Sequence, residues 1–89
     1  MLQYEWDAHK AQVNLNKHKI AFADAVSAFA DDDAITISDE HPDENRFILL
    51  GKDGLGRVLV VVFTFREERI RIISARKASQ SEIREYMRK

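Results

Sequence analysis

Residues 57–77 read RVLVVVFTFREERIRIISARK. Two runs rich in β-branched and aromatic residues flank the polar pair Glu67-Glu68, the pattern of two antiparallel strands joined by a tight turn. With Glu67 and Glu68 as the turn and an unbroken register, Arg66 stands opposite Arg69, Thr64 opposite Arg71 and Val62 opposite Ile73. The other face pairs Phe65 with Ile70 and Phe63 with Ile72. Alternate residues of a strand point to opposite sides, so this second face is continuously apolar and is expected to pack on helices. The first face carries Thr64, Arg66, Arg69 and Arg71 together, while Arg76 falls at the end of the apolar one.

Working outward, Arg46 to Lys52 is a further strand, joined to the strand from Arg57 by a hairpin at Asp53-Gly54-Leu55-Gly56. Ala34 to Ser38 is a short strand, followed by an exposed acidic loop over Asp39 to Asn45 that contains Pro42. At the start, Leu2 to Trp6 forms a strand with Leu2, Tyr4 and Trp6 on one side. Asp7 caps a helix that runs to about Lys19, with Ala8, Ala11, Leu15 and His18 along one stripe. A second helix spans about Phe22 to Ala30, with Phe22, Val26 and Phe29 as its apolar face. Asp31-Asp32-Asp33 stops it, because acids at a helix C-terminus oppose the macrodipole. Ser79 to Arg88 closes the chain as a helix; Ser79 and Glu82 form a capping box, and Ile83, Tyr86 and Met87 form its apolar stripe. The order β-α-α-β-β-β-β-α predicts an α+β fold, a small antiparallel sheet with helices packed on one face, in a single domain over residues 1–89.

The 89 residues are 45% hydrophobic and 33% charged, as expected of a folded globular chain. No cysteine is present, which excludes disulfides, thiolate metal ligands and a thiol nucleophile and suits a reducing cytoplasm. The longest apolar run, Val58 to Phe63, is far short of the ~20 residues that span a bilayer, and no targeting segment is expected at Met1 to Trp6. Charge is divided along the chain. Residues 1–45 hold three lysines against ten acids, a net of −7; residues 46–89 hold eleven basic residues against five acids, a net of +6. All arginines lie in the second half. Such a division suits an anionic partner on one side and a basic one on the other, or simply two halves that neutralise each other in the fold.

The residue pattern disfavours a metal site. His9 and His18 stand about 180° apart around a helix, and the acids lack the spacing of a calcium loop. No glycine-rich phosphate loop is present. The arginines of the last two strands remain. Guanidinium groups match phosphate with planar, paired donors, so Arg66, Arg69 and Arg71 on one face suit RNA unless an acid sits among them. The plainer reading is a solvated face balanced by Glu67 and Glu68. RNA cleavage without a metal requires proton transfer and cations to stabilise the phosphorane-like transition state. His18, Glu82 and Tyr86 are candidates for the first role, and Lys17, Arg71 and Arg76 for the second. The plainer roles are, respectively, a helix-terminal histidine, a capping-box acid and a core tyrosine.

Tyr4-Glu5-Trp6-Asp7, then Lys10, Asn14, Lys17-His18, Phe22, Ala25 and Phe29-Ala30-Asp31, together resemble the BrnT toxin family. Glu44, Arg46, Gly51 and Gly56 to Val61 continue the match. Arg71-Ile72-Ile73-Ser74-Ala75-Arg76-Lys77-Ala78, Glu82 and Tyr86 complete it. The resemblance implies a RelE-like fold and a metal-independent endoribonuclease that cleaves mRNA and arrests growth. It also implies neutralisation by a BrnA-type antitoxin, which supplies DNA binding for the pair. Carried over by position, it implies catalytic roles for His18, Arg71, Arg76, Glu82 and Tyr86 and RNA binding by Lys17, with no cofactor; Arg46, at a matching position, and Arg66 and Arg69, from the strand face, are further RNA-binding candidates. Asn45 separates Glu44 from Arg46 here, where the family usually has the two adjacent. The competing reading is a non-catalytic nucleic-acid- or protein-binding module in an autoregulatory complex.

Overall fold

The computed structural model describes residues 3–40 and 42–88. Leu2, expected in the first strand, and His41, in the acidic loop, lie outside them. The elements are β1 (Gln3–Glu5), α1 (Ala8–His18), α2 (Phe22–Ala28), β2 (Ile35–Asp39), β3 (Arg46–Lys52), β4 (Val58–Arg66), β5 (Arg69–Lys77) and α3 (Gln80–Met87). The expected order stands. The strands form one sheet in the order β1-β5-β4-β3-β2. It is antiparallel except at one edge, where β1 runs parallel to β5 and places Glu5 beside Arg71. The sequence reading did not provide for that pairing.

The apolar side of the sheet and α2 make the core. Phe22, Ala25 and Ala28 of α2 pack on Leu49, Leu59, Val61, Phe63, Ile70 and Ile72. Small residues on α2 bring its backbone close to the sheet: a Cβ on Gly51 would lie 3.0 Å from the Ala28 carbonyl oxygen. Phe29 bridges Tyr4 and Phe63, with ring centroids at 5.2 and 5.0 Å. The hairpin at Asp53 is tied down by its own charge. Buried Asp53 accepts the backbone N–H groups of Leu55 and Arg57 and the Arg57 guanidinium, which also reaches Asp24 of α2.

The register of the long hairpin agrees with expectation from the turn to Phe63 and Ile72, then departs. Val62 stands opposite Ser74 rather than Ile73, so Ile73 is an extra residue in β5. Such a bulge inverts the alternation beyond it. An unbroken register would set Arg76 opposite fully buried Leu59, in the core, where an unpaired guanidinium is costly. With the bulge, Ala75 takes the core position at 0% exposure and Arg76 stands opposite Val60, on the open side. The expected placement of Arg76 on the apolar face is therefore corrected.

α1 also differs from its expected packing. Leu15 is 40% exposed, and the residue buried at the sheet is Asn14. β1 reaches only as far as Arg71, which leaves the edge of β5 open beyond it. Asn14 closes that edge: its side-chain amide donates to the Ala75 carbonyl at 2.8 Å and accepts the Ala75 N–H at 3.1 Å. It also donates to the Ile20 carbonyl. A polar residue wins over an apolar one because the strand edge offers an unpaired donor and acceptor that must be met. α3 sits at the end of the sheet against β3, its capping box formed by Ser79 and Glu82. Tyr86 anchors it, donating its hydroxyl to Asp31 Oδ2 at 2.6 Å.

Candidate functional site

The open side of the sheet carries the arginines, and most of them have acids. Glu5 of β1 lies between two: Arg69 donates to Oε1 at 3.1 Å and Arg71 to Oε2 at 2.8 Å. The Arg71 hydrogen bond, followed by that from Arg69, holds the Glu5 carboxyl below its usual range. The acid that keeps these arginines together is thus Glu5, not Glu67 or Glu68. Arg46 is paired with Glu44 at 2.7 Å, across the intervening Asn45. Thr64 is buried, with its hydroxyl donated to the Asn45 carbonyl. Among the described residues Arg66 has no ion-pair partner, and it is exposed.

Arg76 occupies a different setting. It meets Glu82 through two parallel hydrogen bonds, Nη1 to Oε1 at 2.8 Å and Nη2 to Oε2 at 2.9 Å. Glu82 also accepts the Ser79 N–H. The Arg76 bonds, then that from Ser79, pull the Glu82 carboxyl down to about 2, so it is ionised at neutral pH. Arg76 remains 44% exposed at its side chain. It borders a hollow of about 300 Å³ on the open side, floored by Ile35, Ile37, Ile48, Leu50 and Val60. An arginine with two bonds to one carboxylate has a fixed orientation; Glu85 of α3 borders the same hollow.

A second hollow lies between α1 and the β5 bulge, lined by Lys10, Lys17, His9, His18, Ile73 and Ser74 among others. The spacing of His9 and His18 around α1 led to the expectation that they face apart, yet both border this cleft. Ser74 and Arg76 are alternate residues on the same side of β5, opposite Val62 and Val60, so the two hollows adjoin along that strand. The bulge is the feature that sequence reasoning missed. A signal was present: Ser74-Ala75-Arg76 places a small residue where the core needs one, and only a shifted register puts Ala75 there.

Of the residues expected to act, the fold brings Arg76 and Glu82 into contact and sets His18 and Lys17 in the adjoining cleft. It does not bring Tyr86 to them as a proton donor. The tyrosine ring is buried, and the bond to Asp31, with burial, pushes its hydroxyl up to about 12. Arg71 and Arg69 are committed to Glu5. Among the described residues no group of three or more His, Cys, Asp or Glu side chains is placed to hold a metal ion, and no helix is long and apolar enough to cross a membrane.

Residues 6–82 match the family model described as the ribonuclease toxin, BrnT, of a type II toxin-antitoxin system. The fold is similar to the crystal structure of the Brucella abortus ribonuclease toxin BrnT, with a TM-score of 0.66 and 25% sequence identity. That likeness covers 90% of this chain and 100% of the other. No curated protein matches the chain in sequence. Of the two functional classes open from the sequence, these matches favour the enzyme, with an RNA substrate and an antitoxin partner. The chain belongs to the BrnT family of ribonuclease toxins of type II toxin-antitoxin systems.

Proposed function

We propose that the protein cleaves mRNA by a metal-independent route at the junction of the two hollows, and so arrests growth in the cytoplasm of its host. The observation that carries this reading is the bulge-directed Arg76, held by Glu82 on the open side next to the cleft that holds His18. The reaction forms a bond from a ribose 2′-oxygen to phosphorus and breaks the bond to the 5′-oxygen. Negative charge builds on the non-bridging oxygens in between. Arg76 is oriented to meet that charge, a role worth on the order of 10²–10³ in rate for a single preorganised donor. Lys17 adds a second cation. The 2′-hydroxyl gives up a proton and the departing 5′-oxygen takes one up; His18 is the side chain placed to serve that transfer, worth on the order of 10²–10⁴.

Glu82 is a positioning residue in this scheme, since its carboxylate is committed to Arg76 and to the cap of α3. Tyr86 acts at one remove by fixing α3 to Asp31. Arg69 and Arg71 staple β1 to β5, and Arg66 and Arg46 are outlying RNA contacts. The antitoxin is of the BrnA type and contributes the DNA-binding part of a repressing complex, which the toxin joins only through it.

Purified protein incubated with an mRNA transcript in the presence of EDTA tests the scheme. Fragments that appear with EDTA, and disappear on adding the antitoxin encoded with the protein, are expected. An intact transcript with folded protein overturns it; cleavage that stops with EDTA overturns the metal-independent route.

A further inference from the structure

Four arginines of the sheet and the cations of α1 that border the cleft differ in one respect. Arg46, Arg69, Arg71 and Arg76 each lie within ion-pair distance of a glutamate. The cleft between α1 and the bulge, a hollow of about 380 Å³, has Lys10, Lys17, His9 and His18 on its walls and no carboxylate among its lining residues. Among the described residues neither lysine side chain has an ion-pair partner. His9 and Lys10 lie in the first turn of α1, whose one acid is the N-cap Asp7, accepting the Lys10 backbone N–H and not paired with the lysine ammonium. Cations there face the positive end of the helix dipole, a placement that helix stability does not favour. The wall itself is fixed, because buried Asn14 ties α1 to the edge of β5.

We infer that this cleft is a binding subsite for the phosphodiester backbone of single-stranded RNA flanking the bond that is cut, with Lys10 and His9 as its outer contacts. The inference rests on the reading that RNA is cleaved beside Arg76. Ser74 borders the cleft and Arg76 lies two residues further on the same side of the strand, roughly 6.6 Å away along it. An RNA strand with one phosphate at Arg76 therefore passes Ser74 and enters the cleft. His9 and Lys17 are eight residues apart on α1, a rise of roughly 12 Å, so the wall is long enough to follow a strand rather than hold one isolated anion.

The test uses protein silenced by Arg76→Ala and a labelled 12-nucleotide single-stranded RNA, with binding followed against salt concentration. Lys10→Ala is expected to weaken binding several-fold at low salt and to reduce the salt slope by about 0.7, the value for one RNA phosphate released. His9→Ala is expected to weaken binding less, Lys10→Glu more, and Lys10→Arg to restore it. Arg84→Ala, which removes an exposed cation from α3, is the control and is expected to leave binding unchanged. Competition by inorganic phosphate as effective as by unlabelled RNA overturns the strand-following site in favour of a simple anion site. Unchanged affinity and slope in folded Lys10→Ala and Lys10→Glu overturn the inference altogether. If the wild type cuts no RNA but the Lys10 effect on binding is present, the subsite stands and the catalytic reading falls. If the wild type cuts RNA and the Lys10 variants bind normally, only the subsite falls.

Discussion

The two ends of β5 carry arginines in opposite circumstances. At the first end, Arg69 and Arg71 share Glu5 across the parallel junction with β1. At the other, beyond the bulge, Arg76 is aligned by Glu82 and faces an open hollow. The first pair joins two distant parts of the chain, so its partner contributes to the fold. The second pair lies within six residues, so it adds little to topology and mainly fixes the direction of one guanidinium. The type and number of arginines on a strand do not distinguish these roles. The partner and its position in the chain do.

The largest effect that tests this contrast is on activity. Arg76→Ala is expected to lower RNA cleavage by about 10²–10³-fold while the thermal unfolding midpoint moves little, since one exposed ion pair contributes about 1 kcal/mol or less. Single-turnover cleavage alongside thermal denaturation checks both. Next is Asn14→Ala, which removes the partners of both the N–H and the carbonyl of Ala75 at the strand edge. Leaving buried backbone groups unmet costs about 3 kcal/mol, read as a shift in the urea midpoint. A small shift here would mean that α1 is held by other contacts and that the cleft it walls is less fixed.

Glu82 gives a prediction in pH. Its carboxyl stands at about 2 in the fold against an ordinary 4.5, so the folded state favours the ionised form. The stability it contributes is present above about 4.5 and is lost as the pH falls from there toward 2. Urea midpoints measured across that window are expected to fall, and Glu82→Gln is expected to flatten the fall. The same variant is expected to lower cleavage by about 10-fold at neutral pH, less than Arg76→Ala, because it loosens the guanidinium without removing it. The smallest effect belongs to Glu5→Gln, which weakens a partly exposed network: a small fall in the urea midpoint is expected, with cleavage near the wild-type rate.

Much of the fold was legible in the chain. Strands Arg46–Lys52 and Arg69–Lys77 have the expected bounds, Asp7 and Ser79 cap their helices, and the turn at Glu67-Glu68 sets the register down to Phe63. These features are local: alternation, caps and turn length act over a few residues. What was missed is long-range. The pairing of Glu5 with Arg71 spans most of the chain, and neither the parallel junction of β1 nor the Asn14–Ala75 contact leaves a mark in nearby residues. The bulge at Ile73 is intermediate, since it follows from the demand of Leu59 and Val61 for a small, neutral neighbour. The candidate site shares this division. Glu82 and Arg76 were named from the sequence, but their contact depends on the inverted alternation. Tyr86 was named too, and its hydroxyl is taken by Asp31, a residue read as a helix stop and as part of the family resemblance, not as a partner of Tyr86.

The central claim is that the bulge separates a structural arginine cluster from a functional arginine, and side-by-side expression of Arg71→Ala and Arg76→Ala in a bacterial host tests it most directly. Growth and RNA integrity are followed together, with the soluble, folded fraction of each variant measured in the same cultures. The account predicts growth arrest with RNA breakdown for the wild type and for Arg71→Ala, and normal growth with intact RNA for Arg76→Ala. Arrest by Arg76→Ala, or loss of cleavage by a well-folded Arg71→Ala equal to that of Arg76→Ala, would contradict it.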